Sequence, residues 1–181
     1  MKITSLEEYG LRCLVRMARK PDGTSITVAE IADLEGLTTP YVGKLMAALR
    51  QAGFVDSVRG RGGGYVLARP ATEISVEEVL GALGEPLFPT EYCDSHPGAL
   101  SVCAHQGDCS IRSIWQVLGE IIHQVLKGTS LADLCMQEER LASRFKDSLP
   151  KNLLSIVPSR VTETGNPPVP PTTITGTGSR G

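Results

Sequence analysis

Three cysteines, Cys93, Cys103 and Cys109, fall in one polar stretch that also holds Asp94, His96, His105 and Asp108. Thiolates are soft ligands that suit iron–sulfur clusters or zinc. Five residues separate Cys103 from Cys109 and nine separate Cys93 from Cys103. That is not the CxxC spacing of a zinc ribbon, which weakens the case for zinc. Three thiolates leave one coordination position, with Asp94, His96, His105, Asp108, Glu7 and Glu8 as candidates. The competing reading is a set of redox thiols or incidental cysteines. Cys13 and Cys135 lie among apolar residues of predicted helices and read as small hydrophobes. His123 reads as a solvated or packed residue of a long helix, not a ligand.

The elements around the cysteines are legible from period and turn chemistry. Apolar positions Leu6, Tyr9, Leu14, Met17 and Ala18 predict a helix over 5–19, ended by Pro21-Asp-Gly23. Thr27 and Glu30 form a capping-box pair before a helix over 28–34. Gly36 then supplies the positive φ of a tight turn. Thr38 or Thr39 caps the next helix, with Pro40 in its first turn and Gly53 as its stop. Helix, glycine turn and helix at this spacing predict a helix-turn-helix, whose second helix enters the major groove. Strands over 54–58 and 65–67 flank Arg59-Gly-Arg-Gly-Gly-Gly64, a two-stranded wing with arginines at its tip. A short helix over 76–83 follows.

Beyond a loop over 84–109, Ile111, Ile114, Trp115, Leu118, Ile121, Ile122, Val125 and Leu126 repeat at i, i+3, i+4 and i+7. Ser110 is the expected N-cap of that long helix and Gly128 its C-cap. Its stripe exceeds what a small head can cover, so two copies crossing in a homodimer are expected, with palindromic half-sites on DNA. A last helix is expected from Thr129 to about Phe145. Residues 151–181 are rich in Pro, Thr, Ser and Gly and are expected to be disordered.

The fold expected is mainly α with a small β-wing: a winged helix-turn-helix plus a long dimerisation helix. The expected domains are 1–84 for DNA binding, 85–109 for the cysteine loop, 110–149 for dimerisation and a terminal helix, and 150–181 for the tail. Formal charge supports this division. Net charge is −2 for 181 residues, yet residues 1–70 hold 10 Lys/Arg against 7 Asp/Glu, and residues 71–150 hold 5 against 12. A basic head on an acidic body suits phosphate contacts by the head. Thr38, Thr39, Tyr41 and Lys44 on the second helix, with Arg59 and Arg61 on the wing, are the candidate DNA contacts. There is no run of apolar residues long enough for a membrane span and no signal-peptide region after Met1, so a cytoplasmic location with reduced thiols is expected.

Enzyme chemistry finds little support. The chain has no CxxC pair, no Ser/His/Asp set and no Gly-Lys-Ser/Thr phosphate loop. A thiol oxidoreductase, and an adaptor that keeps the winged fold without reading DNA, are the readings set against a DNA-binding regulator.

The chain resembles the Rrf family of winged-helix regulators, which includes IscR-like and NsrR-like cluster sensors. The resemblance rests on Met1-Lys-Ile-Thr-Ser with Tyr9-Gly-Leu-Arg12, on Val28-Ala-Glu-Ile-Ala32, and on Ser57-Val-Arg-Gly-Arg-Gly-Gly-Gly-Tyr65. The cysteine loop, Trp115 and Ser130-Leu-Ala-Asp-Leu134 continue it, over about residues 1–146. It implies a homodimeric bacterial regulator holding an iron–sulfur cluster, 2Fe–2S or 4Fe–4S, with Thr38, Tyr41 and Arg59 at the DNA. IscR-like members carry a histidine three residues after the last cysteine, where this chain has Arg112. NsrR-like members use an acidic residue of the first helix, which Glu8 matches, although their first cysteine gap is usually shorter. The resemblance therefore implies Cys93, Cys103, Cys109 and Glu8 as ligands, with Glu8 from the same or the partner subunit. A cluster-free thiol or zinc redox regulator is the alternative.

Overall fold

The computed structural model describes residues 3–60, 63–85, 103, 105 and 109–148. Helix α1 (Ser5–Ala18) starts at Thr4, whose hydroxyl accepts the Glu7 N–H while the Glu7 carboxylate accepts the Thr4 N–H at 2.6 Å. Its inner face is Gly10, Cys13, Leu14 and Met17. Helix α2 (Val28–Glu35) has the expected Thr27–Glu30 capping box and ends at Gly36, whose φ of 65° turns the chain sharply. Helix α3 (Thr39–Gln51) buries Val42, Leu45, Met46 and Leu49. Thr38 is its N-cap residue without a side-chain cap, so Pro40 and packing carry that end.

Strands β1 (Val55–Val58) and β2 (Gly64–Leu67) pair antiparallel, Val55 opposite Leu67 and Val58 opposite Gly64. Ile26 adds a third backbone segment: its N–H donates to Tyr65 O at 2.9 Å, and Tyr65 N–H donates to Ile26 O at 2.8 Å. Gly64 is required at that crossing. A Cβ there would sit 2.5 Å from Ile26 O.

After a 3-10 turn (Ala71–Glu73), helix α4 (Val76–Leu83) is capped by Ser75 and Glu78. The Ser75 N–H and then Arg69 hold the Glu78 carboxyl down to about 2. Helix α5 (Ser110–Lys127) lies against α4, and His123 Nδ1 meets the Glu77 carboxylate between them. Helix α6 (Leu131–Leu134) returns to the head. Val76 N–H donates to Thr129 O at 2.8 Å, Leu131 N–H donates to Ile74 O at 2.9 Å, and Leu131 is fully buried. The core joins Leu14, Ile26, Ile31, Leu45, Met46, Leu49, Ile74 and Leu131. A mainly α head with a two-stranded wing is thus the observed architecture.

Four expectations are corrected. Cys109, not Ser110, is the N-cap of α5. The last helix is broken: α6 stops at Leu134 and α7 (Glu138–Ser148) starts anew. The cause is local. Leu131 is anchored in the core, and Cys135 and Met136 donate three residues back, to Ala132 O and Asp133 O, tightening the chain out of the α-helical course. Cys135 is therefore the C-cap of α6, not a residue within a helix. Leu6, read as part of the inner stripe of α1, is exposed; Cys13 and Gly10 are buried in its stead. Most of the 84–109 loop and the tail expected to be disordered lie outside the described residues.

Candidate DNA-binding surface and cysteine site

The amphipathic build of α3 decides what it can offer to DNA. Its apolar face is locked into the core, so Thr38, Thr39 and Lys44 stand exposed around its N-terminal half, and Arg50 at its far end. The N-terminus of a helix also presents unpaired N–H groups to phosphates. Tyr41 is half-buried. Its ring meets that of Tyr9 edge to face, with centroids 5.9 Å apart and planes at 85°, and its hydroxyl donates to Ser5 O at 3.4 Å. The wing places Arg59 in solvent beyond β1; Arg61 lies outside the described residues.

Glu35 was not singled out by the sequence reading, and it is the most constrained carboxylate near this surface. Its side chain is 3% exposed at the end of α2. Arg12 of α1 donates to its Oε2 at 2.6 Å, and Arg16 donates to its Oε1. No sequence signal points to this pairing, because 23 and 19 residues separate the partners.

At the cysteine site, the Cys109 sulfur accepts the Arg112 N–H at 3.4 Å at the start of α5. The Arg112 guanidinium donates to His105 O at 2.8 Å, tying the helix back to the loop. Cys103 is half-buried and His105 exposed. On α1 the two adjacent glutamates differ sharply. Glu7 is 1% exposed and spends its carboxylate on its own helix cap, packed against Gly84. Glu8 points to solvent. Cys13 is fully buried, and burial followed by the Glu35 charge pushes its thiol up to about 12, so it is no thiolate donor. Burial also raises the Cys135 thiol, half-buried beside Val15 O. Cys93, Asp94, His96 and Asp108 lie outside the described residues. Among the described residues, no three or more His, Cys, Asp or Glu come together as a metal-holding group.

Helix α5 turns one face to α4 and leaves another bare. Ile111, Ile114, Val117 and Leu118 are 62%, 57%, 59% and 39% exposed, an apolar strip on a helix with no fully buried residue.

Residues 3–137 match the Rrf2 family model, described as an iron-dependent transcriptional regulator. The chain belongs to the Rrf2 family. It is 33% identical to Protein rrf2 of Nitratidesulfovibrio vulgaris over 158 residues, 87% of this chain and 97% of that one. Among solved structures it is similar to CymR (YrzC), the global cysteine regulator of B. subtilis, with a TM-score of 0.63 and 28% identity over 75% of this chain and 96% of that one. It is also similar to T. potens IscR, with a TM-score of 0.58 and 31% identity over 74% and 85% of the two chains. As an Rrf2-family member the chain is a DNA-binding transcriptional regulator and not an enzyme. No described helix is long and apolar enough to cross a membrane.

Proposed function

We propose that this Rrf2-family regulator is a cytoplasmic homodimer that binds a palindromic operator under the control of an iron–sulfur cluster held by Cys93, Cys103, Cys109 and Glu8. One observation carries the ligand set furthest: of the two neighbouring carboxylates on α1, Glu7 is buried in its own cap while Glu8 is free in solvent. Cys109 suits a cluster sulfur, because its thiol sits at a helix start and already accepts an N–H. Held by these residues, an iron–sulfur cluster would supply iron able to exchange electrons and ligands. Glu8 and the cysteines then join α1, which packs on the reading head, to the start of α5. Were Glu8 to let go, α1 would lose that tie and the spacing of the two heads would change. Division of labour follows the segments: 1–84 reads DNA, 85–109 senses, 110–149 dimerises, and 150–181 is a tail.

The DNA surface is Thr38, Thr39, Tyr41 and Lys44 with the wing residues Arg59 and Arg61. Arg59→Ala is expected to weaken binding about tenfold and to make the dependence of affinity on salt shallower by about one phosphate contact, with thermal stability unchanged. Affinity at several salt concentrations, on an operator selected from random duplexes, checks this. Unchanged affinity and slope remove the wing from the interface. A cluster-free thiol or zinc switch is the second reading, favoured by the likeness to Staphylococcus aureus CymR, of which an oxidized form has been solved. Iron and acid-labile sulfide content of anaerobically purified full-length protein, with its visible spectrum, separates the two.

A further inference from the structure

We propose that Tyr9, Arg12 and Glu35 are positioning residues for DNA binding, through which helix α1 splints the helix-turn-helix and fixes the pose of Tyr41. The proposal rests on the reading of the first turn of α3 as DNA surface. Glu35 closes α2, where the helix carbonyls already concentrate negative potential, and its side chain is almost wholly buried. A carboxylate in that place is unfavourable unless compensated. Among the described residues, compensation comes from one neighbouring helix. Arg12 holds Oε2, Arg16 holds Oε1, and Arg16 Nη2 also donates to Leu34 O at 3.3 Å, satisfying a carbonyl at the end of α2. Arg12 and Arg16 stay 44% and 32% exposed, so solvent screens the pair and its contribution to stability is small; what it fixes is the place of α1 against the end of α2.

The same helix grips the far side of the turn. The Arg12 guanidinium lies over the Tyr9 ring, 5.4 Å from its centroid, and Tyr9 meets Tyr41 edge to face. Tyr41 also reaches Ser5 O, one turn earlier on α1. Both ends of the segment from Glu35 to Tyr41 are therefore held by residues 5–16 of α1. Arg12 touches both anchor points, so the ion pair and the aromatic pair are one connected unit.

The test measures operator affinity, its salt dependence and thermal unfolding for full-length Tyr9→Leu, Arg12→Lys, Tyr41→Leu and the Tyr9→Leu/Tyr41→Leu pair, with Tyr9→Phe as the conservative variant. Tyr9→Leu is expected to weaken binding about fivefold, the scale of a lost aromatic pair, with the salt dependence of the parent protein. Tyr9→Phe keeps the ring and restores affinity. Arg12→Lys retains the charge but loses the planar fork and its hold on Glu35 and Tyr9, and weakens binding with the same unaltered salt dependence. The double variant binds no more weakly than Tyr41→Leu, because Tyr9 acts through Tyr41. Parent-level affinity in Tyr9→Leu and Arg12→Lys while Tyr41→Leu is impaired overturns the proposal, as do multiplicative losses in the double variant. Unchanged binding by Tyr41→Leu overturns the DNA-surface reading of Tyr41, and the proposal with it. Should Tyr9→Leu unfold, Arg12→Lys alone decides.

Discussion

Ile114→Glu is expected to convert the proposed dimer to a monomer and to weaken operator binding at least about a hundredfold, a part of the roughly 10³–10⁷ by which specific binding exceeds non-specific binding. Ile114 sits in the bare strip with Ile111, Val117 and Leu118 on α5. Each such side chain is worth about 1.5–3 kcal/mol when moved from water into an interface, so four from each of two copies form a substantial contact. In a two-fold interface one substitution acts twice and puts two like charges where apolar contact is needed. Loss of the dimer then removes the second half-site from every binding event. Gln116→Glu, on the exposed polar side of the same helix, is the control and is expected to remain dimeric. Analytical ultracentrifugation beside operator titration reads both effects. A dimeric Ile114→Glu would place the interface elsewhere.

The second large effect concerns the ligands. Cys109→Ala removes a thiolate and is expected to abolish the cluster spectrum. Glu8→Ala is expected to leave a cluster that forms but decays at least about tenfold faster under anaerobic conditions, since a carboxylate is the harder and weaker partner of iron. Glu7→Gln serves as a contrast. It keeps the size of the capping side chain and is expected to affect the thermal stability of α1 more than the lifetime of the cluster. His96→Ala and His105→Ala test the competing histidines of the loop. A parent-like lifetime for Glu8→Ala together with rapid loss in either histidine variant would falsify the assignment of Glu8.

Much of the fold was legible because its punctuation is local. Thr27 with Glu30, Gly36, Pro40 and Gly53 set the ends of α2 and α3 within a few residues of sequence, and the wing follows from glycines between two short apolar runs. What escaped depends on distant partners. The Ile26–Tyr65 crossing, the anchoring of Leu131 beside Ile74 and the Glu35 clamp each join residues far apart in the chain. The break between α6 and α7 follows from one such anchor, which overrides a sequence that would otherwise continue as helix. Cys109 was legible as a ligand candidate but not as a helix cap, because thiols are uncommon at that position and Ser110 is the better capper by type. At the site, spacing alone left Glu7 and Glu8 equivalent. The capping box separated them, and Thr4, three residues before Glu7, was the signal available in the sequence.

The central claim, that a cluster on these ligands controls DNA binding, is tested most directly by one titration. Full-length protein purified anaerobically is assayed for iron, acid-labile sulfide and operator affinity, then assayed again after the iron is removed by chelation, at one fixed salt concentration. The account predicts stoichiometric iron and sulfide before chelation and a change in affinity of at least about tenfold after it, a coupling of about 1.4 kcal/mol. Protein without sulfide, or an affinity that is the same before and after, would contradict it.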